Sequence, residues 1–134
     1  MSAGVLGSSG LADRSARQIK PPRQDYYSGA YLYKAFCASC HGETGKGNGP
    51  VADTLRRPPA DLTGISARAG GVFPRTQVIA IIDGRNPVPG HGSSGMPVWG
   101  DALRRTEGND EAIIHRRIEA LVMHLRSIQV KGGA

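Results

Sequence analysis

The chain has little of what a small protein normally uses to build a core. Of its 134 residues only two are phenylalanine and one is tryptophan, and aromatic residues amount to 5%. Nineteen glycines and nine prolines break up the rest, so a few short helices joined by long turns are expected in one domain, with an interior too sparse to stand alone. No apolar stretch is long enough for a membrane span or a secretory h-region. There are only two cysteines, and no second Cys/Cys or Cys/His pair completes a four-ligand structural zinc site. Acidic residues are outnumbered 11 to 17 by basic ones, which gives a formal charge of +6. The positive residues are dispersed and no nucleic-acid motif accompanies them, so nucleic acid is not expected as a partner.

What the chain does have is concentrated. Both cysteines lie in Cys37-Ala38-Ser39-Cys40-His41, a Cys-x-x-Cys-His motif. No apolar strand precedes it, as a thioredoxin-like redox pair requires, and a disulfide across so short a loop would constrain little unfolded-chain entropy. The remaining reading is covalent haem attachment. The two thiols can form thioethers with the two vinyl groups of one porphyrin, and His41 can place an imidazole nitrogen on the iron. A buried porphyrin would also supply the apolar centre that the side chains lack.

Ahead of the motif, Gly29, Tyr33 and Cys37 recur at steps of four along one face of an expected helix. Near the other end, Asn109 is a candidate cap for a helix with Asp110 and Glu111 in its first turn. Its apolar face is Ile114, Ile118, Leu121, Leu125 and Ile128. Together, Gly29 to Gly42 and Leu121 to Arg126 resemble the N- and C-terminal helices of class I cytochromes c. The resemblance covers about Asp25 to Val130 and implies an all-α small cytochrome c fold. Three to five short helices would wrap one covalently bound haem c, with the terminal helices crossing at a small glycine. Helices are expected near residues 25 to 39, 50 to 56, 75 to 83 and 109 to 129, with Gly84 capping the third. His124 stands where the family has an aromatic and is expected to be a packed, hydrogen-bonded histidine in that crossing. His115 reads as a solvated helix residue.

The second axial ligand is sought in Gly90 to Gly100, a glycine-rich loop containing Met96-Pro97. Met96 is the candidate, since a thioether is a soft ligand that binds both oxidation states, and a methionine just before the last helix again resembles the family. His91 in the same loop is its rival. Met123 falls within the last helix and reads as a core filler. The loop Gly42 to Pro50 lacks the Gly-Lys-Ser/Thr ending of a phosphate loop. In the resembling family a proline here offers its carbonyl to the second nitrogen of the haem-bound histidine, and Pro50 matches that place; the alternative is that Pro50 only starts a helical turn over Val51 to Leu55. Trp99 is expected to wall the haem pocket. Arg56, Arg57, Arg68, Arg75 and Arg85 are candidate partners for the propionates, and sequence does not choose among them.

Residues 1–24 carry no apolar period and read as a flexible leader, 25–130 as the cytochrome domain and 131–134 as a flexible tail. The resembling proteins acquire haem after export, so a periplasmic location is expected, with the export signal outside these residues. The implied function is one-electron transfer between redox proteins, with acidic docking surfaces expected on the partners because two propionates would leave a balance near +4. Such a protein is either a free shuttle or the cytochrome subunit of a dehydrogenase or oxidase chain. Gly84-Arg85 and His91 to Trp99 look like dehydrogenase-associated cytochromes. A haem-based sensor or catalytic haem protein with a displaceable sixth ligand is the alternative.

Overall fold

A computed structural model describes residues 27–86 and 95–131. The expected leader, residues 132–134 of the expected tail, and His91 lie outside them. Six α-helices and no strand are found among the described residues: α1 Gly29–Phe36, α2 Ala38–His41, α3 Ile65–Arg68, α4 Arg75–Asp83, α5 Trp99–Glu107 and α6 Glu111–Ser127. The fold is all-α as expected. α2 and α3 are single turns.

α6 is the hub, and α1, α4 and α5 all pack on it. Its buried residues Ile114, Ile118, Leu121, Val122 and Leu125 recur at helical steps. Burying that stripe against α1, α4 and α5 removes its aliphatic side chains from water. Leu32 and Tyr33 of α1, Val78 and Ile82 of α4 and Leu103 of α5 complete the core. The cap of α6 is Asp110 rather than Asn109. Its carboxylate accepts from the Ala112 and Ile113 amides at 3.0 and 3.3 Å, satisfying donors that the helix start leaves unpaired.

α1 crosses α6 at Gly29, where a Cβ would overlap the Ala120 carbonyl oxygen and come within 2.8 Å of His124 Cβ. Only a residue without a side chain lets the two backbones approach this closely. His124 sits in the crossing as expected, but its contact is the Tyr33 ring, 4.9 Å between centroids. Burial pushes its imidazole below the ordinary histidine range. His115 is exposed and lies 3.2 Å from Glu119.

Two helix expectations need correction. The helix over 50–56 is only a 3₁₀ turn, Ala52–Thr54, ending at Leu55 in extended backbone. Arg57 precedes Pro58, and a residue before proline is driven away from the α region, so the turn cannot propagate. α5 was not expected at all. It buries only Gly100 and Leu103 and starts at Val98 without a side-chain cap, and its first residues, Trp99 and Gly100, read as the end of a glycine-rich loop, which hid the i, i+3, i+4 spacing of Trp99, Ala102 and Leu103.

The long middle segment is tied down by side chains. Asp61 caps a 3₁₀ turn at Leu62–Gly64 by accepting from the Thr63 amide (2.9 Å) and hydroxyl (2.6 Å). Gln129 donates to the Leu62 and Leu125 carbonyls at 2.7 and 2.8 Å and accepts from the Ser66 amide at 2.8 Å. The Val130 amide adds a bond to the Thr63 carbonyl at 2.9 Å. These bonds fasten residues 62–66 to the end of α6, which fixes the wall next to the motif.

Candidate functional site

The Cys-x-x-Cys-His motif sits where α1 breaks into α2. Cys37 ends α1, with its amide on the Tyr33 carbonyl at 2.8 Å, and its own carbonyl accepts from His41 N–H at 2.9 Å. One helical turn therefore carries all three groups, with both thiols free and half-buried. The chain then folds back on α2. The Gly47 amide reaches the His41 carbonyl at 2.8 Å, Gly49 the Cys40 carbonyl at 3.0 Å, and Val51 the Ser39 carbonyl at 3.0 Å. That strap satisfies the carbonyls that a four-residue helix leaves without partners.

Tyr33 braces the same turn from inside. Its buried hydroxyl donates to the Gly42 carbonyl at 2.6 Å, and burial, with Cys37 nearby, pushes its pKa up to about 12. Burial first, and then Cys40, raises the Cys37 thiol to about 12 as well. A dithiol oxidoreductase needs the opposite shift, because the thiolate is its nucleophile. The environment of Cys37 thus suits an attachment point rather than a redox-active pair.

His41 Nδ1 lies 2.9 Å from the Ala60 carbonyl oxygen. A carbonyl only accepts, so Nδ1 carries a proton, which leaves Nε2 as the nitrogen that can bind a metal. The bond assigned to Pro50 by resemblance is made by Ala60. Pro50 itself is exposed just before the 3₁₀ turn. Ala60 is placed by the Leu62 amide on the Gly45 carbonyl and by Asp61, whose backbone oxygen accepts from Arg68. Nothing in the sequence around Ala60 marks it, since every residue supplies a backbone carbonyl.

Met96 is half-buried and packs against the core together with Phe36, Cys37, Leu62, Ile65, Phe73, Ile79 and Trp99. These partly buried side chains come from α1, residues 62–73, α4 and the segment that enters α5. Trp99 opens α5 and meets Phe36 at 5.3 Å between ring centroids, linking the motif helix to the Met96 segment. Three of the five candidate arginines are engaged elsewhere. Arg75 pairs with Glu119, Arg85 with Asp83 and Glu111, and Arg68 donates to the Asp61 carbonyl. Arg56 and Arg57 are exposed and join no ion pair among the described residues.

The donor set suits a haem: two free thiols and an imidazole whose Nδ1 is already bonded stand on one turn, next to the partly buried Phe36 of α1. No group of three or more histidine, cysteine and carboxylate side chains able to hold a bare metal ion occurs among the described residues. No helix among them is long and apolar enough to cross a membrane. No curated protein and no solved structure matches the chain. Residues 24–114, more than half of the chain, match the family described as cytochrome c oxidase, cbb3-type, subunit III, and the protein belongs to this family as a c-type cytochrome domain with haem attached covalently at its Cys-x-x-Cys-His motif.

Proposed function

We propose that the domain is a one-electron carrier whose single haem is ligated by His41 and Met96, working in a bacterial periplasm or an equivalent space. The observation that carries this reading is the His41 Nδ1–H bond to Ala60, which leaves Nε2 as the nitrogen for iron. When bound, the haem supplies an iron that alternates between ferrous and ferric states. The protein's part is to hold and to shield. Cys37 and Cys40 fix the group to one helical turn, Ala60 keeps the imidazole oriented and electron-rich, and Phe36, Trp99 and their apolar neighbours exclude water from the iron. Arg56 and Arg57 remain as free guanidinium groups for the propionates. No substrate bond is made or broken, and the domain serves either as a free shuttle or as the cytochrome subunit of an oxidase or dehydrogenase chain.

A carrier of this kind keeps its sixth position occupied. Carbon monoxide added to the reduced protein should leave the visible spectrum unchanged on mixing. An immediate shift would instead support a ligand-binding sensor with an open iron.

The charge of +6 favours partners with acidic docking surfaces. Electron exchange with an anionic redox protein, followed by stopped flow, should slow as salt is raised, since exposed charges are screened beyond about 8 Å at physiological ionic strength. Rates that stay level or rise with salt would remove the case for acidic partners.

A further inference from the structure

The carbonyl that accepts from His41 is itself held from two sides. On one side lies Gly47, left-handed at φ 84°, whose amide donates to the His41 carbonyl at 2.8 Å. A Cβ on Gly47 would stand 2.5 Å from the Pro59 carbonyl oxygen and 3.4 Å from the Ala60 carbonyl carbon and oxygen. Residues 59–60 therefore rest on the Gly47 backbone, with no room for a side chain between them.

On the other side is Asp61, which shares a peptide bond with Ala60. Its backbone is extended (φ −71°, ψ 107°), and one carboxylate oxygen keeps it so by accepting from both the amide and the hydroxyl of Thr63, at 2.9 and 2.6 Å. These bonds hold the carboxyl below its ordinary range. Thr63 is buried, and its carbonyl accepts from the Val130 amide at 2.9 Å, so the carboxylate is anchored to a point fixed by the end of α6. The Asp61–Leu62 peptide is pinned at both ends, its oxygen by Arg68 Nη2 at 2.7 Å and its N–H by the Gly45 carbonyl at 2.6 Å. The Ala60 oxygen lies one peptide upstream, and the Asp61 φ that the carboxylate fixes sets its direction.

We propose that Asp61 is a positioning residue for His41: by capping the turn, its carboxylate aims the Ala60 carbonyl at the ring N–H and so sets how strongly the imidazole donates to the iron. This rests on His41 being an iron ligand. A firm Nδ1–H bond makes the imidazole a stronger donor, which favours ferric iron; a slack one weakens the donor and raises the reduction potential. Asp61 acts through geometry, since the cap needs an oxygen acceptor, which asparagine also supplies. Asp61→Ala and Asp61→Asn both remove the charge, but only the first removes the cap.

The test combines nitrogen-edited proton NMR with spectroelectrochemistry of the haem-loaded full chain. In the reduced protein the His41 Nδ1–H should exchange with solvent about tenfold faster in Asp61→Ala than in the unsubstituted chain, and within about twofold of it in Asp61→Asn. The reduction potential should stand higher in Asp61→Ala than in Asp61→Asn, a difference that a merely structural cap would not produce. If Asp61→Ala does not take up haem, Thr63→Val decides, since it removes the shorter of the two bonds without a change of charge and should speed exchange and raise the potential. Equal exchange or equal potentials in the two Asp61 variants overturn the proposal, as does a Thr63→Val that moves neither. The His41 ring protons separate the two readings. If they lack the upfield shift that a haem ring current imparts to an axial imidazole, the ligand assignment fails and takes the role of Asp61 with it; if they show it while exchange and potential stay fixed in the variants, only the role of Asp61 fails.

Discussion

Gly29→Ala should lower the thermal unfolding midpoint of the haem-loaded protein by roughly 8 °C or more, at a cost of about 2 kcal/mol in stability. Two effects oppose each other here. Alanine is the better helix former by at most about 1 kcal/mol, and less at the first position of α1. Against that, the new methyl group meets the Ala120 carbonyl oxygen, which belongs to the backbone of α6 and cannot rotate away as a side chain would. Overpacking of a rigid contact costs about 1–3 kcal/mol, occasionally more, so the clash wins. The helices must separate, and Tyr33, His124 and Leu32 lose packing together. Because α1 also carries Cys37 and runs into α2, the shift should be visible in the haem absorption as well as in far-ultraviolet ellipticity. A midpoint equal to that of the unsubstituted protein would mean that the helices do not cross at this glycine.

Met96→Ala should abolish the sulfur-to-iron band of the ferric protein and lower the reduction potential by on the order of 0.2 V, within the ~0.8 V range that axial ligands cover. The sign follows from ligand softness. A thioether favours ferrous iron, whereas the water or hydroxide that takes its place favours ferric. Spectroelectrochemistry measures both effects in one sample. His91→Ala should leave band and potential nearly intact. The reverse pattern, with Met96→Ala silent and His91→Ala altered, would assign the sixth position to histidine and describe a carrier of lower potential.

Legibility in the sequence varied with how local the determinant was. α4 and α6 were read within two residues of their ends, because Arg75–Asp83 closes on a left-handed glycine and α6 repeats one apolar stripe for 17 residues. α5 escaped because Trp99 and Gly100 read as the end of a glycine-rich loop, whereas Gly100 opens the helix and fits over Asp83 and Arg85, 15 or more residues away. Arg85 was legible as an arginine suited to carboxylates, yet its carboxylates are Asp83 and Glu111 rather than propionates. His124 was expected to hydrogen-bond, and the neighbour it meets is the face of Tyr33.

The sequence by itself determined the chemistry: two thiols and an imidazole at one spacing, and a glycine where two helices must touch. Covalent spacing and composition are properties of the chain before it folds. Only the tertiary structure decided which carbonyl orients His41 and which arginines are already engaged. Ala60 lies 19 residues from His41, and Glu111 lies 26 from Arg85. A backbone oxygen or a carboxylate becomes a specific partner only when packing brings it within hydrogen-bond reach in the right direction, and α6, with Gln129 fastening residues 62–66 to its end, does that positioning.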